Sequence, residues 1–175
     1  MIVDYGFMKY IEGKTYTFCG TPLYLPPEII LNQGHDWGAD HWSFGVMLYE
    51  MLYGYTPFYE EGMDQMSLFK AIVNEPVVYP SGCSPQCEDF LKRLLRRRPT
   101  RRLGSRGENE IYQHAWFLQI DFHKLYKQEY ESPYVPKVKN PLDVANFSNW
   151  RHVVDKSKED YPPLTPEEKK YFEDF

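Results

Sequence analysis

Asp4 stands two residues before Gly6, the spacing of an Asx turn in which a carboxylate folds back onto a backbone N–H. Glu50 lies inside an apolar run from Trp37 to Tyr53, where a lone carboxylate is costly unless a cation meets it or its face stays wet. Asp40 falls in the first turn of the same run, where the helix dipole alone favours an acid. Lys92, Arg93, Arg96, Arg97, Arg98, Arg101, Arg102 and Arg106 form a basic stretch around Gly104-Ser105-Arg106-Gly107. Such a turn is chemistry for gripping a nucleic-acid backbone, although arginines also gather at the negative ends of helices. Cys83 and Cys87 are half of a zinc site with no nearby ligands to complete it, and Cys19 is an isolated thiol open to redox chemistry.

The elements that must position these groups are helices. Asp36 predicts the start of a helix from about Trp37 to Tyr53, whose apolar residues point in nearly every direction and imply burial all round. Asp64, with Met63 before it, predicts a short helix through Leu68, Phe69, Ile72 and Val73. Ser84-Pro85 opens a third, with Cys87, Phe90, Leu91, Leu94 and Leu95 on one face and Arg96, Arg97 and Arg98 at its negative end. A fourth is expected over residues 108–117. No run of alternating strands is visible, so the expected class is mainly α.

The chain has 175 residues, 20 Lys+Arg against 25 Asp+Glu and a net charge of -5, a balance that argues against bulk polyanion binding. Hydrophobic residues make up 42%, enough for a packed globule and too many for bulk disorder. Three cysteines without framework spacing point to a reducing, cytoplasmic compartment, and no apolar run reaches the roughly 18 residues of a membrane span. All 11 glycines lie between Gly6 and Gly107, while Pro133, Pro136, Pro141, Pro162, Pro163 and Pro166 punctuate the last third. Loss of glycine and gain of proline predict an extended arm over 121–175 after a globular part over 1–120. Its aromatics, among them Tyr134, Phe147, Phe172 and Phe175, predict that the arm lies against another surface.

Ordered short motifs narrow the reading further. Asp4-Tyr5-Gly6, Thr17-Phe18-Cys19-Gly20-Thr21-Pro22, Pro26-Pro27-Glu28, Asp40-His41-Trp42-Ser43-Phe44-Gly45 and Arg101-Arg102-Leu103-Gly104 follow one another, then His114-Ala115-Trp116-Phe117. In order and spacing they resemble a eukaryotic protein kinase from its DFG motif onward: the activation segment and late helices of the large lobe. Pro133-Tyr134-Val135-Pro136, Asn146-Phe147 and Phe172-Glu173-Asp174-Phe175 are similar to the tail of the AGC group, nearest the cyclic-nucleotide-dependent kinases. The resemblance implies a partial large lobe with an AGC tail, acting with ATP and Mg2+ on Ser/Thr of basic substrates. It casts Asp4 as a metal ligand, Thr21 as the hydroxyl contacting the catalytic aspartate and lysine, and Glu50 as the acid for a substrate arginine. It makes Thr17 and Thr165 phosphosites, Lys9 the cation for phosphorylated Thr17, Glu28 and Arg102 a buried pair, and Asp40 a clamp on the catalytic loop. Phe147 becomes an adenine-pocket residue, and Phe172 and Phe175 the hydrophobic motif that docks on a small lobe. Leu23 stands where the cyclic-nucleotide-dependent kinases carry a substrate-binding glutamate, Tyr5 replaces a phenylalanine, and Pro26 replaces an alanine.

The chain contains no GxGxxG loop, no VAIK-like strand and no HRD loop. The expectation is therefore a kinase fragment inactive by itself, with apolar surface where the rest of a kinase packs. The competing expectation is a non-catalytic decoy that binds basic peptides or another kinase's small lobe. Neither nucleic acid nor a membrane is an expected partner.

Overall fold

A computed structural model describes residues 4–147 and residue 165. The chain divides into two units, residues 1–125 and 126–175. The first is helical, and among the described residues no extended strand forms; Thr15 and His35 make an isolated antiparallel bridge.

After a loop over 4–20 and a 3-10 turn at Pro22–Tyr24 come α1 (Pro27–Ile30), α2 (Gly38–Tyr53), α3 (Gln65–Asn74) and α4 (Pro85–Leu94). Two of the expected caps form: the Asp64 carboxylate accepts from Ser67 N at 2.9 Å, and Ser84 Oγ accepts from Cys87 N at 3.2 Å. Asp36 Oδ1 accepts from Gly38 N at 2.8 Å, satisfying a donor at the start of α2. Gly54, in left-handed conformation at φ 83, closes α2 with its N–H on Glu50 O.

The core lies between α2, α3 and α4. Trp42, Val46 and Tyr49 of α2 meet Ile72 of α3 and Phe90, Leu91 and Leu94 of α4, all essentially without solvent exposure. Each such side chain contributes about 1.5–3 kcal/mol on burial. Gly45 sets the closest approach: a β-carbon there would stand 2.9 Å from Leu94 Cβ and 3.0 Å from Leu95 Cδ2.

Three expectations need correction. α2 is not buried all round, because Phe44, Met47 and Met51 form an exposed apolar stripe, Met51 at 75% exposure. The helix expected over residues 108–117 is broken into α5 (Asn109–Tyr112) and a 3-10 turn at Ala115–Phe117. His114 takes extended backbone between them, its Nδ1 accepts from Trp116 N at 3.2 Å, and its ring packs edge-on to Phe90 at 5.0 Å. A buried aromatic cluster thus outweighs helical continuity. Arg97, lastly, serves α3 instead of the end of α4: its Nε donates to Ile72 O at 2.8 Å and its Nη2 to Glu75 O.

A last helix, α6 (Phe122–Tyr126), follows Asp121, whose Oδ1 accepts from His123 N and Lys124 N. After α6 the described residues of the second unit hold turns and irregular backbone. Asp143 accepts from Lys139 N at 2.8 Å and Ala145 N at 3.0 Å, bonds that hold its carboxyl below the usual range. Asn146 Nδ2 closes the turn on Lys137 O at 3.1 Å.

Candidate functional site: the loop before α1 and its anchors

The loop over 4–20 is stitched down in the middle, where Thr15 and His35 exchange two backbone hydrogen bonds of 2.9 Å. That bridge positions the hydroxyls. Lys9 Nζ donates to Thr15 Oγ1 at 3.1 Å, and Thr15 Oγ1 lies 3.3 Å from Thr17 Oγ1. Lys9 and Thr17 are exposed and stand on either side of one shared threonine. Phe18 packs edge-on to Phe69 of α3 at 6.1 Å, a second anchor.

Thr21 caps the Pro22–Tyr24 turn with its carbonyl, which accepts from Tyr24 N at 3.0 Å, and its side chain is exposed. Lys9, Thr15, Thr21, Tyr24, Asp40 and Ser43 border a cavity of about 410 Å3 between the loop and the start of α2. Asp40 is exposed in the first turn of α2. Leu23 packs against the core. Pro26 accepts on its carbonyl from Ile29 N and Ile30 N, so the proline withholds no donor that α1 needs.

Glu28 and Arg102 meet across 74 positions of sequence and are 2% and 1% exposed. Arg102 Nη1 donates to Glu28 Oε1 at 2.6 Å and Nη2 to Oε2 at 2.9 Å, a fork-to-fork pair. Nη1 also reaches Gly38 O at 2.7 Å, Nε reaches Arg96 O at 3.0 Å, and the guanidinium lies 5.3 Å over the Trp42 ring. One cation thereby ties α1, the start of α2 and the segment after α4.

Glu50 is half-buried and accepts from the Tyr24 hydroxyl, which pushes the tyrosine's pKa above its usual value, burial adding to the effect. Ser43 Oγ donates to Tyr24 O at 3.0 Å. Sequence reasoning missed Tyr24 and Ser43. Tyr24 follows the motif Thr17–Pro22 by two residues, but a contact 26 positions away leaves no local pattern.

Asp4 is exposed at φ 63, and its Oδ1 accepts from Gly6 N at 3.2 Å. No group of three or more His, Cys, Asp or Glu able to hold a metal occurs among the described residues. Cys83 Sγ lies 3.1 Å from the Tyr53 hydroxyl, and burial pushes the Cys87 thiol up to about 11, which suits an inert core thiol. Phe147 and Thr165 are exposed, and Phe172 and Phe175 lie outside the described residues. No helix among the described residues is long and apolar enough to cross a membrane.

A family model described as "Protein kinase domain" matches residues 1–117. The chain belongs to the protein kinase family, on the Ser/Thr side and within the AGC group. It is 39% identical over 148 residues to a cAMP-dependent protein kinase catalytic subunit of Dictyostelium discoideum, covering 83% of this chain and 22% of that protein. To a serine/threonine-protein kinase of Saccharomyces cerevisiae it is 44% identical over 149 residues, again 83% and 22%. To the cAMP-dependent protein kinase catalytic subunit 3 of Drosophila melanogaster it is 34% identical over 179 residues, 99% of this chain and 29% of the relative. The chain thus spans between about a fifth and a third of the length of these relatives.

Proposed function

We propose that the chain supplies the activation segment and peptide shelf of an enzyme that transfers the γ-phosphoryl group of ATP to Ser or Thr of basic protein segments. The observation that carries this reading is the hydrogen-bonded cluster of Lys9, Thr15 and Thr17, whose Lys9 and Thr15 border the cavity beside Thr21. A phosphate on Thr17 adds a charge of roughly -1.5 to -2 beside an ammonium that already reaches its neighbour, ordering the loop that ends in Thr21. Glu50 gives one carboxylate oxygen to Tyr24 and leaves Oε1 for a substrate guanidinium. Thr21 presents its hydroxyl to the reacting centre, and Asp40 steadies the backbone facing it.

ATP and Mg2+, which the family uses, would supply the phosphoryl donor and neutralise its charge, with Asp4 as one oxygen ligand and Phe147 near the adenine. This chain, without a Gly-rich loop, strand lysine or HRD loop in its sequence, is inactive alone in this reading. Phe44, Met47 and Met51 are where the remaining kinase elements, or another kinase's lobe, would seat. A cytoplasmic location fits the free thiols.

The test is binding of a serine peptide with two arginines upstream, followed by fluorescence anisotropy. Saturable binding that Glu50→Gln weakens about tenfold is expected, in line with losing one charge-assisted bond. Equal binding by Glu50→Gln overturns the peptide-shelf assignment.

A further inference from the structure

Eight cations and no acid occur between Lys92 and Arg106, in a chain that is acidic overall. Half of them are spent inside the fold. Lys92 pairs with Glu88, Arg93 Nε lies 2.9 Å from Asp89 Oδ2, Arg97 binds the carbonyls of Ile72 and Glu75, and Arg102 holds Glu28. Arg96, Arg98, Arg101 and Arg106 remain, exposed and without a carboxylate partner among the described residues. Three of these four, Arg96, Arg98 and Arg101, border one cleft of about 430 Å3, together with the already paired Lys92 and Arg97 and with Val77, Tyr79 and Leu95, whose apolar surface forms the rest of the wall.

We propose that this cleft binds a phosphorylated protein segment. Three exposed like charges gathered at one concavity repel one another, and none of them has a carboxylate at ion-pair distance among the described residues; a dianion offsets them. Guanidinium forks match phosphate oxygens two at a time, and the apolar wall takes the side chains that flank the phosphate. The cleft shares no bordering residue with the cavity beside Thr21, and the inference does not rest on the proposed function.

The same geometry disfavours nucleic acid. The Gly104–Gly107 turn has given Gly104 N and Arg106 N to Glu110 Oε2, at 3.0 and 3.3 Å, so those donors are not offered to a backbone phosphate. Tyr79, the aromatic residue of the cleft, carries Lys92 Nζ 5.3 Å over its ring, which occupies a face a base would stack on.

The experiment is fluorescence anisotropy on the full chain with a labelled peptide bearing two phosphoserines, its unphosphorylated counterpart and a labelled oligouridylate. The phosphopeptide is expected to bind saturably, about tenfold or more tighter than the unphosphorylated form, and R96E/R98E/R101E to lose at least that factor. R106E, outside the cleft, is expected to bind as wild type. Far-UV circular dichroism of both variants is expected to match wild type, and inorganic pyrophosphate to compete on the wild type without any substitution. Equal affinity for the two peptides, no loss in the triple variant, no competition by pyrophosphate, or tighter binding of oligouridylate overturns the proposal.

Discussion

Arg102 carries five N–H donors, and five acceptors surround it: two oxygens of Glu28 and the carbonyls of Gly38, Arg96 and Arg97. A buried pair so satisfied costs little, whereas half of one costs a great deal. Glu28→Ala or Arg102→Ala is expected to lower stability by about 3–5 kcal/mol, and Glu28→Leu with Arg102→Met together to recover most of it. Urea unfolding measures both; a single substitution costing under about 1 kcal/mol contradicts the assignment. At the rim, Thr17 phosphorylation is expected to raise Tm by roughly 1–3 °C in calorimetry, an effect lost in Lys9→Ala, since exposed pairs are weak. Tyr24 supplies a third reading: Glu50→Ala removes the acceptor that is the main cause of its raised pKa, so its absorbance titration moves toward 10.0. An unmoved titration would place Glu50 elsewhere.

Among the elements, α2 decides most. An exposed helical glycine gains about 1 kcal/mol on becoming alanine, but Gly45 has Leu94 and Leu95 within 3.0 Å of the new carbon. Gly45→Ala is therefore expected to destabilise by about 1–3 kcal/mol, and a stabilised variant would contradict the α2–α4 packing. α3 and α4 were legible because Asp64 and Ser84 place an acceptor three residues before an open N–H, a rule internal to a few residues. The end of the 108–117 segment was not, since His114 breaks the helix for Phe90 and Asp89, 24 and 25 positions back. Glu28 with Arg102 became legible only through resemblance to kinases; nothing local announces a contact 74 positions apart. Burial raises Tyr49 and Tyr79 to about 12 from 10.0, so both favour the neutral form in the fold. Their contribution is complete below pH 10 and is lost as pH rises toward 12; the urea midpoint should be level to about pH 9.5 and fall above 10.

For the whole molecule, the exposed stripe Phe44, Met47 and Met51 is a departure from a self-sufficient fold. A chain with such a face is expected to associate with rising concentration, and Met47→Lys with Met51→Lys to remove that association without loss of stability, as sedimentation velocity will show. The helical class and the kinase family were legible in the ordered motifs, and so was an apolar face left open where the rest of a kinase packs; which residues of α2 form it was not, because periodicity reports apolarity and not what covers it. The proposed function requires a peptide shelf around Glu50 and Thr21 in this chain and no complete nucleotide grip in the chain alone. Isothermal titration of the purified chain with Mg·ATP tests that most directly. No saturable heat is expected below about 1 mM nucleotide; micromolar binding that Asp4→Ala abolishes would contradict it.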